Sequence, residues 1–241
     1  MVLSIKPSVS VVMPVFNGLP YLKQQITTIL SQMEIDDELL IIDDLSTDGT
    51  LEYLQSVKLH SNKNIKIIQN KKNRGILPNI KELLLKAKSN IVIFADQDDI
   101  WYSHKILLTR KFFEDDELSL CIHDAKYLCE DASDQLNNKT AYQHLKISKS
   151  LLKNLIRNRF IGCCMAINRT HYPSEIIDRI PKTPMHDWFL SSYALMKKKK
   201  VIIVNESLIE HRRHARNFTR SDISFFEKIR QRLRLVKEIG L

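Results

Sequence analysis

Ile91-Val92-Ile93-Phe94-Ala95-Asp96-Gln97-Asp98-Asp99-Ile100-Trp101 runs an apolar segment straight into three carboxylates within four positions. An apolar run this short reads as a buried strand. The acids then fall at its C-terminal end, where open α/β sheets hold their ligands. Three carboxylates this close repel one another unless positive charge sits among them. A divalent cation supplies that charge, and oxygen ligands suit Mg²⁺ or Mn²⁺, whose remaining coordination sites take water and phosphate oxygens. The bland reading of the same stretch is a solvated acidic turn before a helix near Ser103. The stretch alone leaves both open.

Upstream, the pattern repeats. Val9 to Phe16 is an apolar strand with Pro14 near its end, since Pro cannot donate to a ladder. Asn17-Gly18-Leu19-Pro20 reads as a turn, and apolar spacing over Tyr21 to Met33 predicts a helix. Glu38 to Ile42 is a second apolar strand, ending in Asp43-Asp44. A polar turn follows, with Thr50 as N-cap of a helix through Val57. Ile65 to Ile68, a helix over Ile76 to Ala87 and Ile91 to Ala95 complete a strand-helix alternation. Such alternation predicts a parallel sheet with right-handed crossovers. Two strands of this series end in acids, and these ends share one edge of the sheet.

Downstream the reading is less regular. Helices are expected over His104 to Phe113 and Ser150 to Ile156, with strands at Leu120 to Ile122, within Asn158 to Asn168, and at Val201 to Val204. His186-Asp187-Trp188 opens a further helix, and Ser221 to Ile239 is an amphipathic helix with a cationic surround.

The 241 residues are enough for one large α/β domain. A net charge of +9 favours anionic partners. The four cysteines, Cys121, Cys129, Cys163 and Cys164, form no C-x-x-C pair and read as reduced core residues of a cytoplasmic protein. No apolar run reaches the ~20 residues of a spanning helix, and no secretory h-region is expected at the N-terminus. Neither G-x-G-x-x-G after the first strand nor a P-loop occurs. A bound nucleotide would therefore need a metal and basic side chains. Nucleic acid is not an expected partner, because the carboxylate cluster would repel a phosphate backbone.

Five pieces then stand in one order: Val11-Val12-Met13-Pro14-Val15-Phe16-Asn17-Gly18, Ile42-Asp43-Asp44-Leu45-Ser46-Thr47-Asp48-Gly49-Thr50, Asn73-Arg74-Gly75, Asp96-Gln97-Asp98-Asp99-Ile100-Trp101 and His186-Asp187-Trp188. With them the chain resembles a family 2 glycosyltransferase of the GT-A fold, most of all the rhamnosyltransferase-like bacterial members. That resemblance implies a Rossmann-like, mostly parallel central sheet flanked by helices, with a C-terminal acceptor-side region. The domain would span 1–220, divided into a nucleotide-binding half (1–102) and an acceptor-binding half (103–220), and 221–241 would form the basic helix.

The resemblance also implies an inverting, metal-dependent transfer of a sugar from a nucleoside diphosphate donor to a saccharide or lipid-linked saccharide acceptor in bacterial surface polysaccharide synthesis. The donor would be dTDP- or UDP-linked, with rhamnose first among the sugars. Pro14, Phe16 and Asn17 would line the base and ribose pocket. Asp44 would accept the N3–H that uracil and thymine share. Asp98 and Asp99 would meet ribose and metal, Mn²⁺ or Mg²⁺, with Asp96 close by and Arg74 offsetting diphosphate charge. Asp187 would be the base; its bland reading is a helix cap. His186, Trp188 and Arg212 would stand on the acceptor side or in a basic loop after the last strand, with Asn217 in that loop and His214 lending itself to the metal. Gly162 and Cys163 would lie near the acceptor pocket. Leu45 departs from the family, which usually has a small residue there. The chain is also short for that group, so part of the acceptor side is expected to be missing or rebuilt.

Other readings stay open beside this one. A sugar-nucleotide nucleotidyltransferase would need a Gly-rich basic N-terminal loop, which Pro14 to Pro20 does not supply. A catalytically inactive nucleotide-sugar binder would keep the same acids. The 221–239 helix suits a peripheral contact at the inner face of the membrane, packing on the domain, or a dimer contact.

Overall fold

The structure, a computed structural model, describes residues 7–137, 139–214 and 224–240. Its first half is the expected alternation: β1 (Val9–Val15), α1 (Leu19–Leu30), β2 (Glu38–Asp43), α2 (Thr50–His60), β3 (Asn64–Gln69), α3 (Ile76–Lys86) and β4 (Ile91–Phe94). These strands are parallel and lie in the order β3-β2-β1-β4. Every residue of β2 and β4 is buried, as a strand covered on both faces requires. Helix α2 begins from Gly49 in the left-handed region (φ 88°), so Thr50 is its first residue and not the expected cap.

The second half completes the same sheet. It contains β5 (Ile100–Trp101), α4 (Lys105–Phe112), β6 (Leu118–Cys129), α5 (Ala141–Leu145), α6 (Leu151–Ile156), β7 (Met165–Asn168), α7 (Ser174–Ile177), α8 (His186–Met196), β8 (Lys200–Arg213) and α9 (Phe225–Ile239). Among the described residues the sheet has eight strands, ordered β3-β2-β1-β4-β7-β6-β8-β5. β7 runs antiparallel to both neighbours, β6 and β8 are parallel, and β5 is antiparallel to β8. The sheet is thus mixed beyond β4.

The last strand differs most from expectation. β8 is 14 residues long and reaches Arg213, so Arg212 lies on a strand and not in a loop. Glu206, Glu210 and the basic residues hide its continuation from a hydrophobicity reading, because its second half pairs with β6 and the short β5 at an edge. Asn217 and the expected boundary at 220/221 lie outside the described residues. Helix α9 packs Leu235 and Ile239 inward, while Phe225, Phe226 and Leu233 stay exposed. Arg232 Nε donates to the Ile156 carbonyl at 2.8 Å, tying α9 to α6.

One buried ion pair fixes α4 against the start of β2. Arg110 Nη2 reaches both Asp37 oxygens at 3.0 and 2.8 Å, and Nη1 reaches Glu34 at 2.7 Å. Asp37 also accepts the backbone N–H of Val9 at 2.9 Å, so it holds β1 in place. Removing the guanidinium leaves a buried carboxylate without its cation. Arg110→Met is expected to lower unfolding free energy by about 3–5 kcal/mol, read from the urea midpoint at constant m-value.

Candidate active site

The C-terminal ends of β1, β2 and β4 open onto one cavity of about 480 Å³, lined also by residues from the 161–162 turn, α8 and β8. Pro14 and Phe16 come from the end of β1, and Phe16 is 46% exposed there. Gln97 clamps this segment: its Oε1 accepts the Phe16 N–H at 2.9 Å and its Nε2 donates to the Phe16 carbonyl at 3.1 Å. Gly18 makes the clamp possible, because a Cβ there would stand 2.7 Å from Gln97 Oε1. The Asn17 side chain turns away to accept the Thr47 N–H at 2.8 Å, bracing the loop after β2; Asn17 does not line the cavity.

Asp44 does line it. Its oxygens accept the N–H groups of Arg74 (2.9 Å) and Gly75 (2.7 Å) and the Asn70 amide (2.6 Å). Burial alone would raise this carboxyl's pKa, but those donors outweigh it and hold the pKa below the usual carboxylate value. The Arg74 guanidinium is turned to Glu82 at 2.5 Å, so Arg74 serves the site through its backbone and is not among the lining residues. Leu45 has φ 66°, a left-handed position that costs a branched side chain about 1–2 kcal/mol and that glycine would occupy freely.

The acid cluster is the electrostatic centre. Asp96 and Asp98 line the cavity, while Asp99 is buried beneath them. Burial, then the charges of Asp99 and Asp98, push the Asp96 carboxyl up to about 7. Asp98 is raised by the same two influences, burial and Asp99, although His214 Nε2 stands 2.9 Å from its Oδ2. His214 is stacked on Tyr21 with ring centroids 4.4 Å apart. Asp99 Oδ1 accepts from His211 Nδ1 at 2.8 Å and from the Arg212 N–H at 3.2 Å. Burial opposes the charged His211 ring, but the Asp99 charge and hydrogen bond prevail and lift it to about 9. Arg212 Nε donates to the Asp98 carbonyl at 3.0 Å and its guanidinium lies over the Tyr21 ring, so Arg212 buttresses the acidic loop from outside the cavity.

A fit to a divalent cation can be read from this arrangement. Ligand atoms of Asp96, Asp99, Cys163 and His211 lie within 4.8 Å of one another. Asp99 Oδ2 is buried with no hydrogen-bond partner among the described residues, an acceptor left over for a cation. The set mixes hard carboxylates with softer imidazole and thiol donors, so it suits Mn²⁺ better than Mg²⁺. His214 stands with Asp98 and outside that foursome.

His186 and Asp187, in the first turn of α8, also line the cavity. Asp187 Oδ1 accepts the Trp188 N–H at 2.6 Å. Burial raises the Asp187 pKa above the usual carboxylate value against the opposing pull of His186. Burial lowers that of His186, which keeps its ring neutral. Gly162 abuts this pair; a Cβ there would meet His186 Nε2 at 2.6 Å. Trp188 is buried, and its indole N–H donates to the Asn154 carbonyl at 2.6 Å, so it is a core residue and does not line the cavity.

The cavity therefore gathers Pro14, Phe16, Asp44, Asp96, Asp98, His186 and Asp187, and leaves Asn17, Arg74, Trp188 and Arg212 as supports around it. Sequence reading assigned no role to Gln97, His211 or Lys105. Lys105 is fully buried, with Nζ 2.8 Å from the Cys163 carbonyl and 3.8 Å above the Trp101 ring. Trp101 ends β5 and Lys105 opens α4, so no single periodicity links them in the sequence.

Comparison with known proteins agrees with this geometry. A family model described as glycosyl transferase family 2 matches residues 10–173. A Bacillus subtilis (strain 168) protein named as a glycosyltransferase, EpsE, is 34% identical over 108 residues, covering 45% of this chain and 39% of EpsE. The dTDP-rhamnosyl transferase RfbG of Shigella flexneri is 26% identical over 243 residues, covering 93% of this chain and 79% of RfbG. Among solved structures, S. aureus TarS 1–349 in complex with UDP-GlcNAc superposes with a TM-score of 0.70 at 16% identity, over 97% of this chain and 68% of that one. Mannosyltransferase PcManGT from Pyrobaculum calidifontis, in complex with GDP-Man and Mn²⁺, gives 0.66 at 19% identity, over 89% and 59%. These likenesses give the fold. The chain belongs to glycosyl transferase family 2.

Because Asp96 holds a proton up to about pH 7, a cation entering the cluster must displace it. Mn²⁺ affinity, measured by calorimetry in buffers of differing ionisation enthalpy, is expected to climb from pH 5.5 to about 7 and then flatten, with proton release on the low side. A pH-independent affinity would remove Asp96 from the binding set.

Proposed function

We propose, with membership of that family as the premise, that this chain is an inverting glycosyltransferase. It would move a sugar from a dTDP- or UDP-linked donor to a saccharide acceptor of a bacterial surface polysaccharide. The observation that carries this reading is one cavity lined by Asp44, Asp96, Asp98 and Asp187 together.

In this reading the base stacks near Pro14 and Phe16, on the segment that Gln97 clamps. Asp44 keeps acceptor capacity beyond its three hydrogen bonds, and being ionised it can take only a donor, such as a pyrimidine N3–H. Asp96 and Asp98, with Asp99 and His211 beneath or beside them, would hold Mn²⁺, or less suitably Mg²⁺; His214, beside Asp98, is the further candidate. When bound, that ion supplies charge stabilisation to the departing diphosphate. The acceptor hydroxyl approaches from the Asp187 side. Its oxygen bonds to the anomeric carbon while its proton passes to the Asp187 carboxylate. The bond from that carbon to the diphosphate breaks, and its electron pair leaves on the diphosphate oxygen. Neutral His186 packs beside Asp187 without competing for the proton. RfbG supports rhamnose as the transferred sugar, and TarS supports a uridine donor; the two favour different sugars and the same pyrimidine recognition.

A peripheral membrane contact fits the exposed Phe225, Phe226, Ile229 and Leu233 of α9, flanked by Arg230 and Arg234. Among the described residues no helix is long and apolar enough to cross a membrane.

A base must be ionised to work. Since burial raises Asp187, the acid limb of kcat/KM is expected above the usual carboxylate range, with activity lost as pH falls through it. Asp187→Asn should lower kcat by about 10²–10⁴-fold while UDP or dTDP still binds. Nucleoside diphosphate release, screened over dTDP- and UDP-sugars with Mn²⁺, reads both. Asp187→Asn retaining near wild-type turnover would remove Asp187 from the chemistry.

A further inference from the structure

Beneath the cavity, side chains of three different chemistries converge. Asp96 and Asp99 come from the loop after β4, Cys163 from the turn at 162–164 that leads into β7, and His211 from β8. Each offers one ligand atom, and these atoms lie within 4.8 Å of one another. Asp99 and Cys163 are wholly buried. Asp98 and His214 pair with each other outside this group.

Three features set the group apart from an acidic loop that neutralises itself. The first is an acceptor left over. Asp99 Oδ1 takes the His211 ring and the Arg212 N–H, but Asp99 Oδ2 is buried with no partner among the described residues. A buried charged acceptor without a donor is costly, and a cation is the natural remedy. The second is the thiol. Cys163 Sγ stands 3.6 Å from His211 Nδ1. A tetrahedral ion with its usual bonds to nitrogen and sulfur holds those two atoms about 3.5 Å apart. The third is rigidity. Lys105 Nζ donates to the Cys163 carbonyl at 2.8 Å and lies 3.8 Å over the Trp101 ring. The ammonium is thereby spent on backbone and indole, and it fixes the turn that carries the sulfur. His211 is fixed in its turn by the pairing of β8 with β6 at Tyr127. Sulfur and imidazole are thus in place before any ion arrives.

We infer that Asp96, Asp99, Cys163 and His211 form an inner cation site, distinct from the Asp98 side that faces the donor, and that its thiolate selects a thiophilic ion of the Zn²⁺ class. Mg²⁺ keeps several waters in an octahedral shell, for which a group with two wholly buried members has little room. Zn²⁺ closes its shell with four protein ligands drawn from sulfur, nitrogen and oxygen. It also outranks Mn²⁺ on donors of this kind. Binding releases to solvent the thiol proton and any that Asp96 and the His211 ring hold, and no bond between heavy atoms breaks. The inner ion would offset Asp96 and Asp99 from below, leaving the Asp98 side to the ion that accompanies a diphosphate. None of this requires that a sugar be transferred.

Cobalt(II) is the probe, a coloured stand-in for zinc. The full chain is stripped with a chelator, exchanged into chelator-free buffer and titrated. Wild type is expected to show a sulfur-to-cobalt charge-transfer band in the near ultraviolet and the strong visible bands of a four-coordinate ion. Stoichiometric Zn²⁺ should erase both, whereas Mn²⁺ or Mg²⁺ in about hundredfold excess should not. Cys163→Ser should lose the ultraviolet band and at least about tenfold in Zn²⁺ affinity. Cys164→Ser and Cys129→Ser should keep both. If Cys163→Ser does not fold, X-ray absorption of the zinc-loaded wild type decides: a sulfur at about 2.3 Å is expected, and a shell of oxygen and nitrogen alone overturns the site. The site is equally overturned by a weak six-coordinate cobalt spectrum in wild type, by a band that survives Cys163→Ser, or by Mn²⁺ displacing cobalt as readily as Zn²⁺ does. A chain with the cobalt signature that turns over no donor would refute the enzyme reading and leave the inner site standing. Turnover with Mn²⁺ and no cobalt signature would do the reverse.

Discussion

Three carboxylates at the end of one strand must be kept from driving one another apart, and the rest of the molecule answers that requirement. Asp96, Asp98 and Asp99 crowd together where β4 ends, and two of them have raised pKa values because of burial and their neighbours. The protein brings hydrogen-bonding histidines to them from far along the chain. His211 pairs with Asp99, and His214 with Asp98. Lys105 lies fully buried behind them, its pKa pulled down to about 8 by burial although Cys164, Cys163, Asp99 and Asp96 favour its charge. The long β8 is what makes this possible, since it carries His211 past the short β5 to the acidic loop and His214 follows directly at its end. Unbalanced negative charge remains, seen in the raised pKa of Asp96 and in the unpartnered Asp99 oxygen, and a divalent cation would offset it.

Asp187, in the same cavity, obeys a different rule. At Asp187 burial outweighs the nearby His186 and the hydrogen bonds from the Trp188 N–H and the Asn158 side chain, and raises its pKa. Asp44, equally part of the cavity, receives three donors and stays strongly ionised. Two carboxylates in one cavity are thus pushed in opposite directions, Asp187 up by burial and Asp44 down by its hydrogen-bond donors. One is suited to hold a donor group steadily, the other to accept a proton.

Much of this was legible in the chain. The parallel β1 to β4 series followed from apolar runs alternating with helical spacing, and the acids at strand ends followed from where those runs stop. Asp44, Asp96, Asp98 and Asp187 met in one cavity because local pattern fixes strand ends and topology fixes their edge. What was illegible depends on long-range contact. Cys163 and His211 lie 48 positions apart, and nothing local in either marks a shared site. Trp188, expected on the acceptor side, is instead a core residue whose indole locks α6 to α8. Arg74 looked like a diphosphate cation, but Glu82, eight positions on in α3, captures the guanidinium. β8 was read short because its outer half is charged, as an edge beside a two-residue strand permits.

The central claim is that donor acids and Asp187 face one reacting carbon from opposite sides. A crystal structure with Mn²⁺ and an unhydrolysable UDP- or dTDP-sugar tests it most directly. The account predicts an anomalous manganese peak within the Asp96, Asp98, Asp99 and histidine cluster, the pyrimidine against Asp44, and the Asp187 carboxylate on the face of the anomeric carbon away from the diphosphate. A nucleotide bound outside this cavity, or Asp187 on the diphosphate side of that carbon, would contradict it.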